Sequence, residues 1–212
     1  MNSGTPRRSI ILRKRLNWEK RYDKKLSSMP ASLLVIAVWV AVWIYVSATD
    51  SAPKLCGKGI SNIGGEFYRF LTAGLTHTSV IHLLVNVSAM FWVGYLYEQR
   101  MGSMKFLLIG ILCAVITQVV FLTIYRNADG SVGGSIYNFA LCGFGLAMQF
   151  LIPDYPKIQF GTWSGNWIAI YLVVSNIPVL SFMSGSTIVI HTIALGIGII
   201  AAGLSWLIGV RL

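Results

Sequence analysis

Long apolar runs dominate this chain from residue 30 onward, and they leave few folds open to it. Charged residues make up 11% of its 212 residues and hydrophobic residues 55%, whereas a soluble domain has about 25% charged residues. A helix that crosses a bilayer needs about 20 mostly apolar residues, and an isolated strand cannot pair its backbone groups in lipid. The sequence therefore predicts an all-α, integral multi-pass membrane protein. We expect six spans, near Pro30–Ala48, Val80–Tyr97, Met104–Tyr125, Ser135–Ile152, Asn166–Met183 and Thr187–Gly209.

The fifth predicted span is the least regular, because Asn176 and Pro178 interrupt its apolar run. Proline removes a backbone hydrogen-bond donor and favours a kink. We therefore expect a distorted helix over residues 166–183.

The positive charges lie mostly before the first span. Residues 1–28 hold nine Lys and Arg against two acidic residues, which is +7 of the chain's net +10. With this segment in the cytoplasm and six alternating spans, thirteen Lys and Arg lie inside and four outside, as the positive-inside rule favours. We predict a basic cytoplasmic segment over residues 1–29, a six-span membrane domain over residues 30–212, and both termini in the cytoplasm.

The basic segment has two interpretations, and the residues favour the simpler one. A topology signal in contact with anionic membrane lipid needs only clustered Lys and Arg. Nucleic-acid binding would call for an interleaved aromatic pattern, which the segment lacks. We therefore predict membrane lipid as a partner and no nucleic acid.

The cysteines give no sign of a metal or cofactor site. Cys56, Cys113 and Cys142 are odd in number and lie at different predicted depths, which argues against a disulfide framework. No two of them have metal-ligand spacing. The sequence predicts no cofactor and no metal.

Two chemically capable polar residues stand at the ends of apolar spans. Ser135 opens the fourth span after Gly133 and Gly134, and His191 lies about one turn into the sixth. The predicted topology puts both near the outer face of the membrane. A serine and a histidine together suggest a nucleophile and its base. Singly, Ser135 is also compatible with a helix N-cap, and His191 with a hydrogen bond between helices.

The second span adds polar groups at a similar depth. His82 and Asn86 are four residues apart, hence on one helical face; alternatively they form a structural polar clasp. In the catalytic interpretation, their N–H groups and the backbone N–H of Ser135 stabilise an oxyanion, and the two preceding glycines allow close substrate approach. Neutral His191 takes the serine proton, and Phe139 is placed to stack on the imidazole ring. Because no Asp or Glu is placed to orient the histidine, the sequence predicts a two-residue dyad.

Small residues on two spans predict a close helix contact. Faces of this kind let helix backbones approach each other, which would bring Ser135 toward His191, although ordinary membrane packing explains them as well. They are Gly143 and Ala147 in the fourth span, and Ala194, Gly198 and Ala202 in the sixth.

The motifs of several spans, in chain order, resemble those of the rhomboid intramembrane serine proteases. The resemblance runs from about Arg69 to Gly203, and the combination is far more specific than any one motif. The matching positions are Tyr68-Arg69, His77 with His82 and Asn86, Glu98-Gln99-Arg100-Met101-Gly102, Gly133-Gly134-Ser135, Phe139, and His191 with Ala194 and Gly198.

The resemblance implies a six-transmembrane-helix rhomboid-like bundle and serine endopeptidase activity on single-span membrane proteins. It implies supporting roles for His77, Glu98 and Arg100, and a partly submerged helical hairpin in the first outer loop that Arg69 ties down. It also implies lateral substrate access at the fifth span. The location it implies is a bacterial cytoplasmic membrane, with the active site toward the extracytoplasmic side.

Two other functions stay open. Ile136 and Ile190 stand where the rhomboid family usually has small residues, which favours a weakly active or inactive rhomboid-like protein that binds transmembrane clients. A transporter would need acidic or ion-coordinating residues in mid-span, and no Asp or Glu lies at the centre of a predicted span.

Overall fold

Helices make up most of the computed structural model, which describes residues 28–177 and 185–209. Within the described residues the elements are α1 (Pro30–Thr49), α2 (Ala52–Leu55), β1 (Gly57–Lys58), α3 (Arg69–Thr72), α4 (Val80–Met101), α5 (Ser103–Ile124), β2 (Asp129–Ser131), α6 (Ser135–Leu151), α7 (Trp163–Val174) and α8 (Gly185–Leu207). A 3₁₀ turn over Ala73–Leu75 follows α3.

Four of these helices are long and apolar enough to cross a membrane: α1, α4, α5 and α8. Helices α6 and α7 are also apolar but shorter, with 17 and 12 residues. Large apolar side chains such as Ile81, Ile111 and Ile200 are exposed on the outer faces of the long helices. Exposed apolar faces of this extent are expected where lipid, not water, surrounds a protein.

The helix boundaries differ from the predicted spans at two places. Helix α4 continues one turn beyond the predicted end, so Glu98 and Arg100 lie inside it. Helix α7 begins at Trp163 and ends at Val174, whereas one span over residues 166–183 was expected. The Asn176 side chain donates to the Leu172 carbonyl at 2.7 Å, which satisfies an end group of the helix. Residues before a proline also disfavour the helical conformation.

Parts of two predicted regions lie outside the described residues. These are all but residues 28 and 29 of the basic N-terminal segment, and residues 178–183 of the fifth span.

The fold is mostly helical, as predicted, but the loop before α4 and the loop before α6 also pair as a small antiparallel ribbon. Strand β1 pairs with β2, with Gly57 opposite Ser131 and Lys58 opposite Asp129. Strands of two and three residues are too short to show a periodic pattern, so the sequence carried no signal for them. The ribbon joins the loop between α1 and α4 to the segment that precedes Ser135.

Helix α6 forms the centre of the protein. Its residues from Ser135 to Gly145 are all buried, and a helix covered on all sides has neighbours around its whole circumference. Its most extensive neighbour is α8. A Cβ atom at Gly143 would overlap the carbonyl of Leu195, and one at Gly198 would overlap the carbonyl of Ala140. The two backbones are therefore in direct contact, as the small residues led us to expect.

Glu98 stabilises the end of the helical bundle opposite to Ser135. Its buried carboxylate accepts hydrogen bonds from the backbone N–H groups of Ala31 and Ser32, both at 2.8 Å, and from the Ser32 hydroxyl. A carboxylate is favourable at a helix N-terminus because unpaired N–H groups and the positive end of the helix dipole meet there. The contact fixes α1 against α4. Arg100 lies nearby in the last turn of α4, where a cation is favoured.

Candidate active site

Helix α6 begins at Ser135, and its preceding loop is anchored from two sides. The backbone N–H of Gly133 donates to the Ala73 carbonyl at 3.0 Å. The backbone N–H of Gly134 donates to His77 Nε2 at 3.3 Å. The loop between α1 and α4 thus holds the chain at the point where α6 starts. The backbone N–H groups of Tyr137 and Asn138 both donate to the Gly134 carbonyl, whereas those of Ser135 and Ile136 come too early in the helix to have an acceptor within it.

The two glycines before Ser135 are required for different reasons. Gly133 has φ of +127°, in a region that side chains disfavour, and a Cβ atom there would lie 2.9 Å from the His82 ring. Gly134 has an ordinary φ of −68°, but a Cβ atom would overlap the buried Trp39 ring. The Trp39 ring also makes an edge contact with His77, with 5.4 Å between ring centroids. Helix α1 therefore packs against this loop through Trp39.

Ser135 and His191 are within hydrogen-bond distance. Ser135 Oγ lies 2.9 Å from His191 Nε2, and only 7% and 2% of the two residues is exposed. The Phe139 ring stacks on the imidazole, with centroids 4.0 Å apart and planes inclined by 11°. The two residues and the stacking partner thus come together from α6 and α8.

The other imidazole nitrogen of His191 has a partner that the sequence reasoning missed. Its Nδ1 lies 3.0 Å from Asn176 Oδ1, just after the end of α7. Asn176 had been interpreted only as an interruption of the fifth span. An amide oxygen can take the position that a carboxylate oxygen occupies beside the histidine of serine hydrolases, although the sequence prediction of a two-residue dyad considered only Asp and Glu.

His82 faces Ser135 across the start of α6. Its backbone N–H donates to Ser79 Oγ, which caps α4, and its Nδ1 lies 3.3 Å from Thr78 Oγ1. Its Nε2 is buried and has no hydrogen-bond partner among the described residues. When the Thr78 hydroxyl donates to Nδ1, Nε2 carries the hydrogen and is available to a substrate oxygen.

Asn86 lies one turn further along α4 and is already engaged. Its Nδ2 donates to the His82 carbonyl at 3.0 Å, which uses one of two hydrogens. Its Oδ1 accepts from Tyr171 at 2.9 Å. Asn138 donates to the Asn86 carbonyl at 3.0 Å and completes a buried polar cluster. The structure places Asn86 beside the site, and its assignment as an oxyanion donor stays a prediction.

A cavity of about 390 Å³ opens over the serine and the histidine. Its wall includes residues of β2 and of the helices α4, α5, α6 and α8. Residues that line it include Thr78, His82, Ser131, Ser135, Ile190 and His191.

The isoleucines beside the two central residues do not separate them. Both are buried, with 2% of Ile136 and 8% of Ile190 exposed. Ile136 extends toward Gly74, where its Cδ1 lies 3.4 Å from the position of a Cβ atom. It also borders a second, apolar cavity between α1, α5 and α6. Ser135 and His191 are therefore within hydrogen-bond distance of each other even though both isoleucines are present.

Arg69 joins the parts of the loop between α1 and α4, which contains the short helices α2 and α3. This is the loop that the sequence predicts to lie on the outer side. Its Nη1 donates to the carbonyls of Pro53 and Cys56, both at 2.9 Å. Its Nε and Nη2 each lie 2.8 Å from Glu66 Oε2, and this hydrogen bonding holds the pKa of the Glu66 carboxyl below its usual value. Tyr68 donates to the Lys54 carbonyl at 3.1 Å. The pair Tyr68-Arg69 thus organises the loop and does not touch the Ser135 side chain.

The predicted site residues therefore lie in three places, and Arg69 stands by itself in the loop before α4. Glu98 and Arg100 lie at the far end of α4. The residues gathered around the start of α6 are Gly133, Gly134, Ser135, Phe139, His77, His82 and His191, with Asn86 at the edge.

Among the described residues, no group of three or more His, Cys, Asp or Glu side chains is placed to hold a metal ion.

Sequence reasoning missed four residues of this region. Asn138 lies three residues after Ser135, and a polar residue inside an apolar span was a usable signal. Asn176 is also a polar residue inside an apolar span, but the sequence analysis interprets it as an interruption of the fifth span. Trp39 and Tyr171 look like many other aromatic residues of this chain, so no local pattern distinguishes them.

Two comparisons with known proteins bear on this geometry. A family model described as "Rhomboid domain" matches residues 64–209. The chain is also similar to Rhomboid protease GlpG of Enterobacter sp. (strain 638), with 26% identity over 118 residues. That match covers 54% of this chain and 42% of the relative, so the chain spans less than half the length of this curated protein.

Proposed function

Because this chain belongs to the rhomboid family, we propose that it is an intramembrane serine endopeptidase that cleaves single-span membrane proteins. The observation that carries the proposal is the distance of 2.9 Å between Ser135 Oγ and His191 Nε2 at the start of a buried helix. A helix N-terminus favours negative charge, and the buried imidazole is held by a stacked ring. A nucleophile, its base and a site for developing negative charge thus lie together.

The reaction follows the general course of serine hydrolases. His191 takes the proton from Ser135 Oγ as this oxygen attacks the substrate carbonyl. The backbone N–H of Ser135 and a His82 N–H donate to the oxyanion, and the Asn86 amide supplies a further donor. One such donor contributes about 3–4 kcal/mol in known cases. His191 then gives its proton to the leaving amine. Water, deprotonated by the same imidazole, hydrolyses the acyl-enzyme and restores the serine hydroxyl.

The substrate must reach Ser135 as an extended segment. A transmembrane helix has its carbonyls bonded within the helix, so the segment to be cut must unwind before attack. In this proposal the substrate arrives beside α7, where the helix ends early at Val174, and its scissile bond enters the cavity over Ser135.

The membrane arrangement is part of the proposal. Six spans, formed by the four long helices and by α6 and α7, leave both termini in the cytoplasm by the distribution of Lys and Arg. The start of α6 then lies near the extracytoplasmic face. We place the protein in a bacterial cytoplasmic membrane.

Cleavage of a defined substrate tests the proposed function. Purified protein in proteoliposomes is incubated with several single-span fusion proteins, in parallel with Ser135→Ala. We expect cleavage near the outer membrane boundary by the native chain and none by the variant. If the native chain cuts none of the substrates better than Ser135→Ala does, it is not a protease.

The second candidate function is binding of transmembrane clients without cleavage. The observation in its favour is that Ile136 and Ile190 line the cavity in place of smaller residues and reduce the space near the serine. Co-purification of intact single-span proteins with both the native chain and Ser135→Ala, without cleavage by either, would favour this function.

A further inference from the structure

We propose that Asn176 is a positioning residue that fixes the tautomer and the rotation of the His191 ring, so that the site works as a Ser135–His191–Asn176 unit. This inference rests on the proposed hydrolase function. It starts from one contact, the 3.0 Å distance between Asn176 Oδ1 and His191 Nδ1. Asn176 does not line the cavity over Ser135, so it acts through the histidine and not on substrate.

The amide of Asn176 is held in one orientation by its own helix. Its Nδ2 donates to the carbonyl of Leu172, four residues earlier, at 2.7 Å. An amide nitrogen donates and an amide oxygen accepts. A flip of the amide would put the oxygen against the Leu172 carbonyl, which is also an acceptor. The bond to Leu172 therefore directs Oδ1, the acceptor, at the imidazole.

An acceptor at Nδ1 determines where the imidazole carries its proton. A neutral imidazole has one N–H donor and one nitrogen with a free lone pair. Because Asn176 Oδ1 can only accept, Nδ1 carries the hydrogen and donates it. Nε2 is then the lone-pair nitrogen, and it lies 2.9 Å from Ser135 Oγ. This is the tautomer that a general base for the serine requires.

Asn176 and Phe139 constrain different motions of the ring. Stacking at 4.0 Å fixes the plane of the imidazole but allows it to turn within that plane or to flip. The hydrogen bond at Nδ1 restricts both. A stacked ring alone holds the plane, whereas stacking and an Nδ1 acceptor together aim Nε2 at the serine oxygen.

An amide suits this location better than a carboxylate does. His191 is 2% exposed, and burial of an ionised carboxylate beside it would carry a large desolvation penalty. A neutral amide orients the ring without that penalty. It also offers less stabilisation to the imidazolium, so its contribution to the rate should be smaller than that of the aspartate in soluble triads.

Three variants separate this role from a general structural one. Asn176→Leu keeps the shape and removes both hydrogen bonds. Asn176→Asp keeps an acceptor oxygen that faces Nδ1. Asn166→Ala is the matched control, because Asn166 lies near the start of the helix that Asn176 follows, is exposed, and its side-chain Oδ1 accepts from the Gly161 N–H and not from the site.

Kinetics with a single-span substrate give the first measurement. A wrong histidine tautomer lowers kcat about 10⁴-fold in a soluble serine protease with a charged partner, so a neutral partner should matter less. We expect Asn176→Leu to lower kcat about 10–100-fold with KM nearly unchanged, by analogy with the loss seen when the residue that orients a metal-bound histidine is removed. Asn176→Asp should recover part of that loss, and Asn166→Ala should match the native chain. Unchanged kcat in Asn176→Leu would overturn the inference.

The ¹⁵N spectrum of the histidine ring gives a second measurement that needs no activity. A protonated and an unprotonated ring nitrogen give well-separated resonances, and the His191 signals are identified by their loss in His191→Asn. We expect Nδ1 to be protonated in the native chain and the preference to weaken in Asn176→Leu. An unchanged His191 spectrum in that variant would overturn the inference even if kcat falls. If the native chain cleaves nothing, the hydrolase proposal fails, and the spectrum still decides whether Asn176 sets the tautomer.

Discussion

Gly198 of α8 lies directly against the carbonyl of Ala140 in α6, and there is no room between them for a Cβ atom. This contact and the matching one between Gly143 and Leu195 set the distance between the helix that carries Ser135 and the helix that carries His191. The distance of 2.9 Å between Ser135 Oγ and His191 Nε2 therefore depends on small residues further along the two helices.

Gly198→Ala should lower both stability and activity. The added methyl group must push α6 and α8 apart, and overpacking of this kind costs about 1–3 kcal/mol. The resulting shift also moves His191 away from Ser135. Apparent melting temperature in detergent and cleavage of a single-span substrate measure the two effects.

Gly196→Ala is the matched control for that substitution. Gly196 lies in the same helix, and a Cβ atom there meets nothing within 4 Å. Alanine is a better helix former than glycine by about 0.5–1 kcal/mol, so this variant should be as stable as the native chain or more so, with normal cleavage. Equal behaviour of the two variants would mean that the helix contact does not control the site.

Gly133→Ala should impair the site more than its backbone strain alone explains. Both the φ of +127° and the 2.9 Å approach to the His82 ring oppose a side chain there. Gly65→Ala provides the comparison, because Gly65 has φ of +84° but nothing within 4 Å. We expect Gly65→Ala to lose stability only, and Gly133→Ala to lose cleavage as well. Normal cleavage by Gly133→Ala would argue against a role for the His82 contact.

The stability of the protein should fall as the pH falls below about 6.5. Burial, and secondarily the nearby His82 ring, lowers the pKa of His77 from 6.5 to about 3. Between those values the unfolded chain binds a proton at this residue and the folded chain does not. Above pH 6.5 this histidine does not affect the free energy of unfolding. As the pH falls from 6.5 toward 3, the free energy of unfolding falls by about 1.4 kcal/mol per pH unit.

Melting curves in detergent at pH 7 and pH 5 test this dependence, with His77→Gln as the control. Glutamine retains an acceptor for the Gly134 N–H but does not titrate. Its melting temperature should change less between the two pH values than that of the native chain. An equal change in both proteins would show that His77 is not responsible.

How far the sequence alone leads depends on the kind of interaction. Hydropathy located the long helices, because a bilayer demands about 20 apolar residues in each. Alternation of the spans put Ser135 and His191 at one depth, and the structure has them in contact.

Contacts that depend on how the helices pack could not be predicted from the sequence. Asn176 reaches His191 because α7 ends at Val174. The residues that follow Val174 then lie beside α8, which carries His191. Trp39 supports Gly134 from another helix, and no local pattern marks it. The β-ribbon is held by pairing between two loops that are about 70 residues apart, through strands too short to have a period.

Labelling with a serine-directed fluorophosphonate probe tests the central claim most directly, since it reports nucleophilic activation without any choice of substrate. The account predicts that the folded native chain is modified at Ser135, as located by peptide mass spectrometry. It predicts no modification of Ser135→Ala and much slower modification of His191→Asn. Absence of labelling at Ser135 in the folded native chain, or equally fast labelling of His191→Asn, would contradict the assignment of these two residues as nucleophile and base.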